Sequence, residues 1–162
     1  MLLSAQQKFI LDTLKKLGCV CRSQLYVLVR GRFEQGNFKL SQSAIDAMLR
    51  QLRVGTADVR LDDALVWLSR AQPDARRLEA VDVMIELTGG QPQMFDASTE
   101  PPRLLRFAYG RPFSVASLDL APPGSLERGR TERIVWIEDS GEIPQGLVLP
   151  PKHFFAARQA DG

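Results

Sequence analysis

At 162 residues with a formal net charge of +2, 44% hydrophobic and 25% charged, the sequence has the make-up of a globular protein with one good core or two small ones. No apolar run approaches the length of a membrane span and no block is low in complexity, which excludes a helical membrane protein and a disordered chain. The opening M-L-L-S-A-Q-Q-K has neither a basic leader nor an apolar stretch long enough to direct secretion, so a cytoplasmic location is expected.

Ser4 and Gln7 stand in the S-x-x-Q order of a capping box, and Phe9, Ile10, Leu14 and Leu17 share one side, which predicts a first helix over 4–17 stopped by Gly18. Cys19 and Cys21 are too close together to staple distant parts of a fold. Without further cysteines or a second histidine at ligand spacing they read as reduced, half-buried thiols rather than a zinc site. Ser23 is placed to cap a second helix carrying Leu25, Tyr26, Leu28 and Val29, and the glycine-broken stretch 30–39 reads as a basic connection. A third helix over 41–53 is the most strongly specified. Ile45, Met48, Leu49 and Leu52 fall at i, i+3, i+4 and i+7, Ser41 caps it, and Leu40 can pack on Ile45. Ser43, Ala47 and Arg50 then lie opposite the core, with Asp46 and Gln51 at the flanks.

After Arg53 the period drops from 3.6 to 2. Ala57, Val59 and Leu61 alternate with Asp58 and Arg60, Asp62-Asp63 supplies turn chemistry, and 64–68 returns as a second strand containing Trp67. Gln72-Pro73-Asp74 reads as a hinge between a domain over 1–70 and another over 71–162. Asp74 caps a helix over 75–87 that buries Leu78, Val81 and Ile85 with Val83 and Met84, and Gly89-Gly90 ends it. Strands are predicted over 93–97, 104–109, 113–118, 134–138 and 153–157, punctuated by proline and glycine, and 125–131 is a candidate short helix. The unbroken apolar run Ile134-Val135-Trp136-Ile137 fits a central strand covered on both faces, and so a small α/β domain.

Three helices followed by a β-hairpin is an α+β arrangement that resembles the winged-helix superfamily of DNA-binding domains over the first 70 residues. The resemblance implies that the third helix reads a major groove. The chain departs from the family at the hairpin tip, where Asp62-Asp63 replaces the usual basic side chains and would be repelled by phosphates. A winged helix followed by a small α/β domain with a nuclease-like strand order is similar to the replication-relaxation proteins and related families of bacterial mobile elements, which implies an accessory role in replication or transfer.

Charge is distributed to match. Residues 1–56 hold nine Lys or Arg against three acids, whereas 71–162 hold ten against thirteen. Phosphate binding requires such a basic end, although a solvated basic face would look the same. The residues expected at a DNA interface are Ser41, Gln42, Ser43, Asp46, Arg50 and Arg53 on the third helix, with Arg30, Arg32 and Lys39 from the basic connection.

A metal-dependent nuclease needs converging carboxylates and usually a lysine. Glu86, Asp96, Glu138 and Asp139 are the candidate ligands, but no E-x-K triplet follows Asp96, so no catalytic or metal-binding residue and no cofactor is assigned. His153 has no evident nucleophile or base partner and is expected to be a partly exposed structural histidine. The primary expectation is a non-enzymatic protein that binds double-stranded DNA, as a transcriptional regulator or a mobile-element accessory factor, with no membrane partner. The alternatives are a winged-helix module that binds a protein or a second copy of itself, and a degenerate metal-dependent nuclease.

Overall fold

The computed structural model describes residues 2–98, 100–110, 114–120, 132–138 and 142–158. Helix α1 (Ala5–Leu17) opens on the expected capping box, with Ser4 Oγ accepting from the Gln7 N–H at 3.1 Å and the Gln7 carboxamide oxygen accepting from the Ser4 N–H at 3.0 Å. It closes at Gly18, whose φ of 83° disfavours any residue with a Cβ.

Periodicity did not reveal the next element, strand β1 (Cys19–Cys21). Helix α2 (Arg22–Phe33) follows directly, so its cap is Cys21 rather than Ser23. Sheet pairing fixes the chain there: Cys21 lies opposite Leu65, the Arg22 N–H donates to Ala64 O at 2.8 Å, and Gln24 Oε1 accepts from the Cys21 N–H at 2.9 Å. Ser23 falls inside the first turn and is exposed. Helix α2 also runs on through Gly31, which the sequence suggests as a break. That glycine is a packing residue, because a Cβ at 31 would collide with the carbonyl of Gly90.

Helix α3 (Gln42–Gly55) is capped by Ser41, whose Oγ accepts from the Ala44 N–H at 3.1 Å. Ile45, Leu49 and Leu52 are fully buried, and Leu40 and Met48 pack against the same cluster. Strands β2 (Val59–Leu61) and β3 (Leu65–Leu68) form the expected hairpin, with Leu61 opposite Val66 and the Asp62 carboxylate accepting from the Ala64 and Leu65 N–H groups at 2.8 and 2.7 Å. Strand β1 joins the other side of β3, giving an antiparallel sheet of order β1-β3-β2.

Helix α4 (Ala75–Thr88) is capped by Asp74 and stopped by Gly89 in the left-handed conformation. Ala80, Val81, Val83 and Met84 are buried, while Leu78 and Ile85, expected inside, are only half-buried. The helix packs against α2 and β1 as well as against the second sheet, so its inward surface is set by two partners rather than one stripe. The second sheet contains β4 (Phe95–Ala97), β5 (Leu104–Tyr109), β6 (Ser114–Asp119), β7 (Arg133–Ile137) and β8 (His153–Ala157) in that spatial order. All neighbours are antiparallel except β7 and β8. The candidate helix at 125–131 lies outside the described residues.

The expectation that β7 is covered on both faces is corrected by the structure. Arg133, Val135 and Ile137 are buried, but Ile134 is 40% exposed and Trp136 only half-buried under the Arg158 guanidinium, 5.0 Å from its ring centre. Val135 and Ile137 join the same cluster as Val81 and Met84 of α4, and Arg133 meets Glu79 of that helix, so α4 covers the face of β7 opposite to Ile134.

Buried side chains from both sides of residue 70 form one contiguous cluster, from Ile10 and Leu14 through Ile45 and Val81 to Phe107, Leu118 and Ile137. Each large side chain buried in it contributes about 1.5 to 3 kcal/mol. Polar ties cross at the same place: Gln24 Nε2 donates to Leu78 O at 2.8 Å and to Asp82 at 2.7 Å, and Arg77 donates to Leu17 O at 3.1 Å.

Candidate nucleic-acid interface

The outward side of α3 is open. Ser41, Gln42 and Ser43 at its start are exposed, as are Arg50 and Arg53 further along and Lys39 in the segment leading in. This side follows from burial of Ile45, Leu49 and Leu52, because a helix with those three positions inward turns 43, 47, 50 and 54 outward. Gln51, on the flank, accepts a 2.8 Å hydrogen bond from Gln7 Nε2 of α1, which braces the C-terminal half of α3.

Four polar contacts tie α2 to α3 and to the segment leading into it. Tyr26 Oη donates to Asp46 Oδ1 at 2.5 Å, and Arg22 Nη1 approaches the same oxygen at 3.4 Å. Arg30 Nε donates to Leu40 O at 3.1 Å, and Glu34 accepts from the Leu40 N–H at 3.0 Å. Each such bond contributes about 1 kcal/mol net, and more where a charged group takes part. Burial raises the Tyr26 phenol above its ordinary pKa, and donation to Asp46 adds to this, so Tyr26 remains a donor at neutral pH.

Not all the residues assigned to this interface from sequence come together. Ser41, Gln42, Ser43, Asp46, Arg50 and Arg53 share α3 or its cap, and Lys39 stands beside them. Arg30 is half-buried, its guanidinium 6.0 Å over the Tyr26 ring and tied to Leu40. Its task is to hold the connection. Arg32 projects elsewhere, over Phe33 and into a groove shared with Asp12 and Lys16 of α1 and with 90–95. Because α2 continues through Gly31, Arg32 is turned away from the side that carries Arg22, Tyr26 and Arg30. Arg22, overlooked in the sequence, is the cation that the fold places against α3 instead: it is the first residue of α2 and sits against Asp46. Only the pairing of β1 with β3 reveals that α2 begins there. The hairpin tip adds no cation, since Asp62 is engaged in its own turn and Asp63 is exposed.

The acids considered for metal binding sit at separate places, and two of them have partners of their own. Glu86 accepts from the Val148 N–H at 3.0 Å, Asp96 lies opposite Arg106 on an exposed strand position, and Glu138 takes Ser117 Oγ at 2.5 Å and Arg158 at 3.2 Å. Asp139 lies outside the described residues. Among the described residues no three His, Cys, Asp or Glu side chains are grouped as metal ligands.

His153 is buried, with 1% of its side chain exposed, rather than partly exposed as expected. Its Nδ1 donates to Pro151 O at 3.0 Å, and Nε2 lies 3.9 Å from the Glu79 carboxylate, which is itself bonded to Arg133. Burial lowers the His153 pKa and depresses that of Arg133, while Asp74, at the start of the same helix as Glu79, is raised by burial in spite of its pairing with Arg77. Through Glu79 the group joins α4 to the strands β7 and β8.

No helix among the described residues is long and apolar enough to cross a membrane. No family model, curated protein or solved structure matches the chain.

Proposed function

We propose that this is a non-enzymatic protein that binds double-stranded DNA through a winged helix in its first 70 residues, acting as a transcriptional regulator or a mobile-element accessory factor in the cytoplasm. The observation that carries the reading is the solvent-open side of α3, with Arg50 and Arg53 on it and Ser41, Gln42 and Ser43 at its start, mounted on an α2 that is fixed to it by polar contacts. The element order and the β1-β3-β2 sheet support it, and so does the basic excess of residues 1–56.

Affinity is then mainly electrostatic and falls steeply with salt. Titration of random duplex DNA at increasing salt gives a log-log slope, and the Arg50→Ala, Arg53→Ala double variant reduces that slope by about one unit for each phosphate contact removed. Equal binding by parent and double variant at every salt concentration would overturn the reading.

One feature favours a second reading, a winged helix that docks a protein or another copy of itself. Val54 is 85% exposed and borders a shallow concavity of about 360 Å³ with Ala47, Arg50 and Gln51, an apolar lining unlike a phosphate-binding face. Sedimentation of the parent and of Val54→Asp separates the two: a dimer lost in the variant, together with no duplex binding by the parent, selects this alternative.

A further inference from the structure

Resting on the reading of α3 as the helix that enters the groove, we propose that Asp46 reads the exocyclic amine of cytosine and that Tyr26 and Arg22 are its positioning residues. Asp46 lies between the exposed cap of α3 and Arg50, which follows it by one helical turn, and about a fifth of its side chain is open. Both donors from α2, Tyr26 Oη at 2.5 Å and Arg22 Nη1 at 3.4 Å, converge on Oδ1. Both contacts hold the carboxylate by Oδ1, and Oδ2 is the oxygen the proposal assigns to the ligand.

A fixed acceptor with no donor of its own has a narrow choice in the major groove. Guanine offers N7 and O6 and thymine offers O4, all acceptors, and each repels a carboxylate. Adenine has a donor at N6 but an acceptor at N7 beside it. The N4 amine of cytosine has only C–H next to it, so cytosine is the complement. Arg50 supplies the matching preference for guanine through O6 and N7. The 5.4 Å between successive turns spans about one and a half base-pair steps, so the two preferences fall on the same or neighbouring pairs.

Asp46 also opposes binding that ignores sequence, because a carboxylate among phosphates weakens every complex equally. A residue that merely braced α2 against α3 would carry the same charge but would not set base choice. Loss of the cytosine preference on substitution therefore distinguishes a reading role from a structural one, and the gain in random-duplex affinity only places the carboxylate near phosphates.

The test is selection of preferred sites from a random duplex pool, together with titration of random duplex, for the full chain and for Asp46→Asn and Tyr26→Phe. The parent is expected to select a cytosine close to a guanine. Asp46→Asn is expected to lose the cytosine preference by about tenfold while gaining affinity for random duplex. Tyr26→Phe, which keeps the charge and frees the carboxylate, weakens the preference without that gain. If the parent binds duplex but Asp46→Asn selects the same bases, the proposal is overturned and DNA binding stands. An unchanged preference in Tyr26→Phe removes the positioning role of Tyr26. If the parent binds no duplex, the DNA reading fails and this proposal with it.

Discussion

His153 heads β8 with 1% of its side chain exposed, Nδ1 tied to Pro151 O and Nε2 facing Glu79. Burial lowers its pKa; the carbonyl of Pro151 opposes the shift, and Arg133 reinforces it. The unfolded chain takes up a proton near the ordinary value of 6.5, and the folded chain only at lower pH. Below that value the unfolded state therefore binds more protons and stability falls as the solution is acidified. Asp74 acts in the other sense: its folded pKa lies above the ordinary 3.8, so the stability it contributes is present below 3.8 and is lost as pH rises through its folded value. The two slopes have opposite signs, and His153→Gln removes one of them. Urea denaturation of both proteins between about pH 7 and about pH 5 should show the parent losing stability relative to the variant as pH falls. A constant difference across that range would show that His153 is protonated alike in both states.

Gly31 decides how α2 meets the turn that follows α4. Alanine favours a helix interior over glycine by about 1 kcal/mol, so propensity alone predicts that Gly31→Ala stabilises the chain. The added Cβ, however, would enter the Gly90 carbonyl, which is backbone and cannot rotate away, and Gly90 itself is held at a φ of 78° with its own missing Cβ facing Val27. Overpacking of this kind costs about 1 to 3 kcal/mol, so the net change is destabilising. A lower urea midpoint at unchanged slope is the expected result, and a raised midpoint would show that the two segments do not touch. The same glycine explains what was legible in the sequence. Helices α1, α3 and α4 were readable because their caps and stops are local and their apolar residues repeat at 3.6. The end of α2 was not, because Gly31 is present for packing and imitates a stop. Strand β1 was hidden because three residues carry no periodicity and their partners are in β3. On α3, the stripe of buried residues located Ser43 and Arg50 on the open side. The partners of Asp46, however, are 20 and 24 residues away in sequence, and the displacement of Arg32 depends on how far α2 continues. Neither leaves a local pattern.

Residues 1–70 and 71–162 share a core, which ties the stability of each half to the other. Helix α4 lays Val81, Val83 and Met84 into the same cluster as Leu25, Leu28 and Val29 of α2, while Phe95 joins it from β4 beneath the Lys16 ammonium, which lies 5.1 Å from its ring. At about 1.5 to 3 kcal/mol for each large side chain, the burial that Val81, Val83, Met84 and Phe95 supply is comparable to the 5 to 15 kcal/mol or so by which a whole domain is stable. Removal of 71–162 would also leave the Gln24 carboxamide and the Leu17 carbonyl without the partners they have in Leu78, Asp82 and Arg77. The net contribution of those bonds, about 1 kcal/mol each, would be lost as well. The first 70 residues made alone are therefore expected to lack a cooperative fold, and the full chain to unfold in urea as a single transition seen alike by circular dichroism and by tryptophan emission, since Trp67 reports on one sheet and Trp136 on the other. A separate 1–70 fragment that melts cooperatively with helical dichroism, or two resolved transitions in the full chain, would show that the shared cluster is not what holds the first three helices and their sheet together.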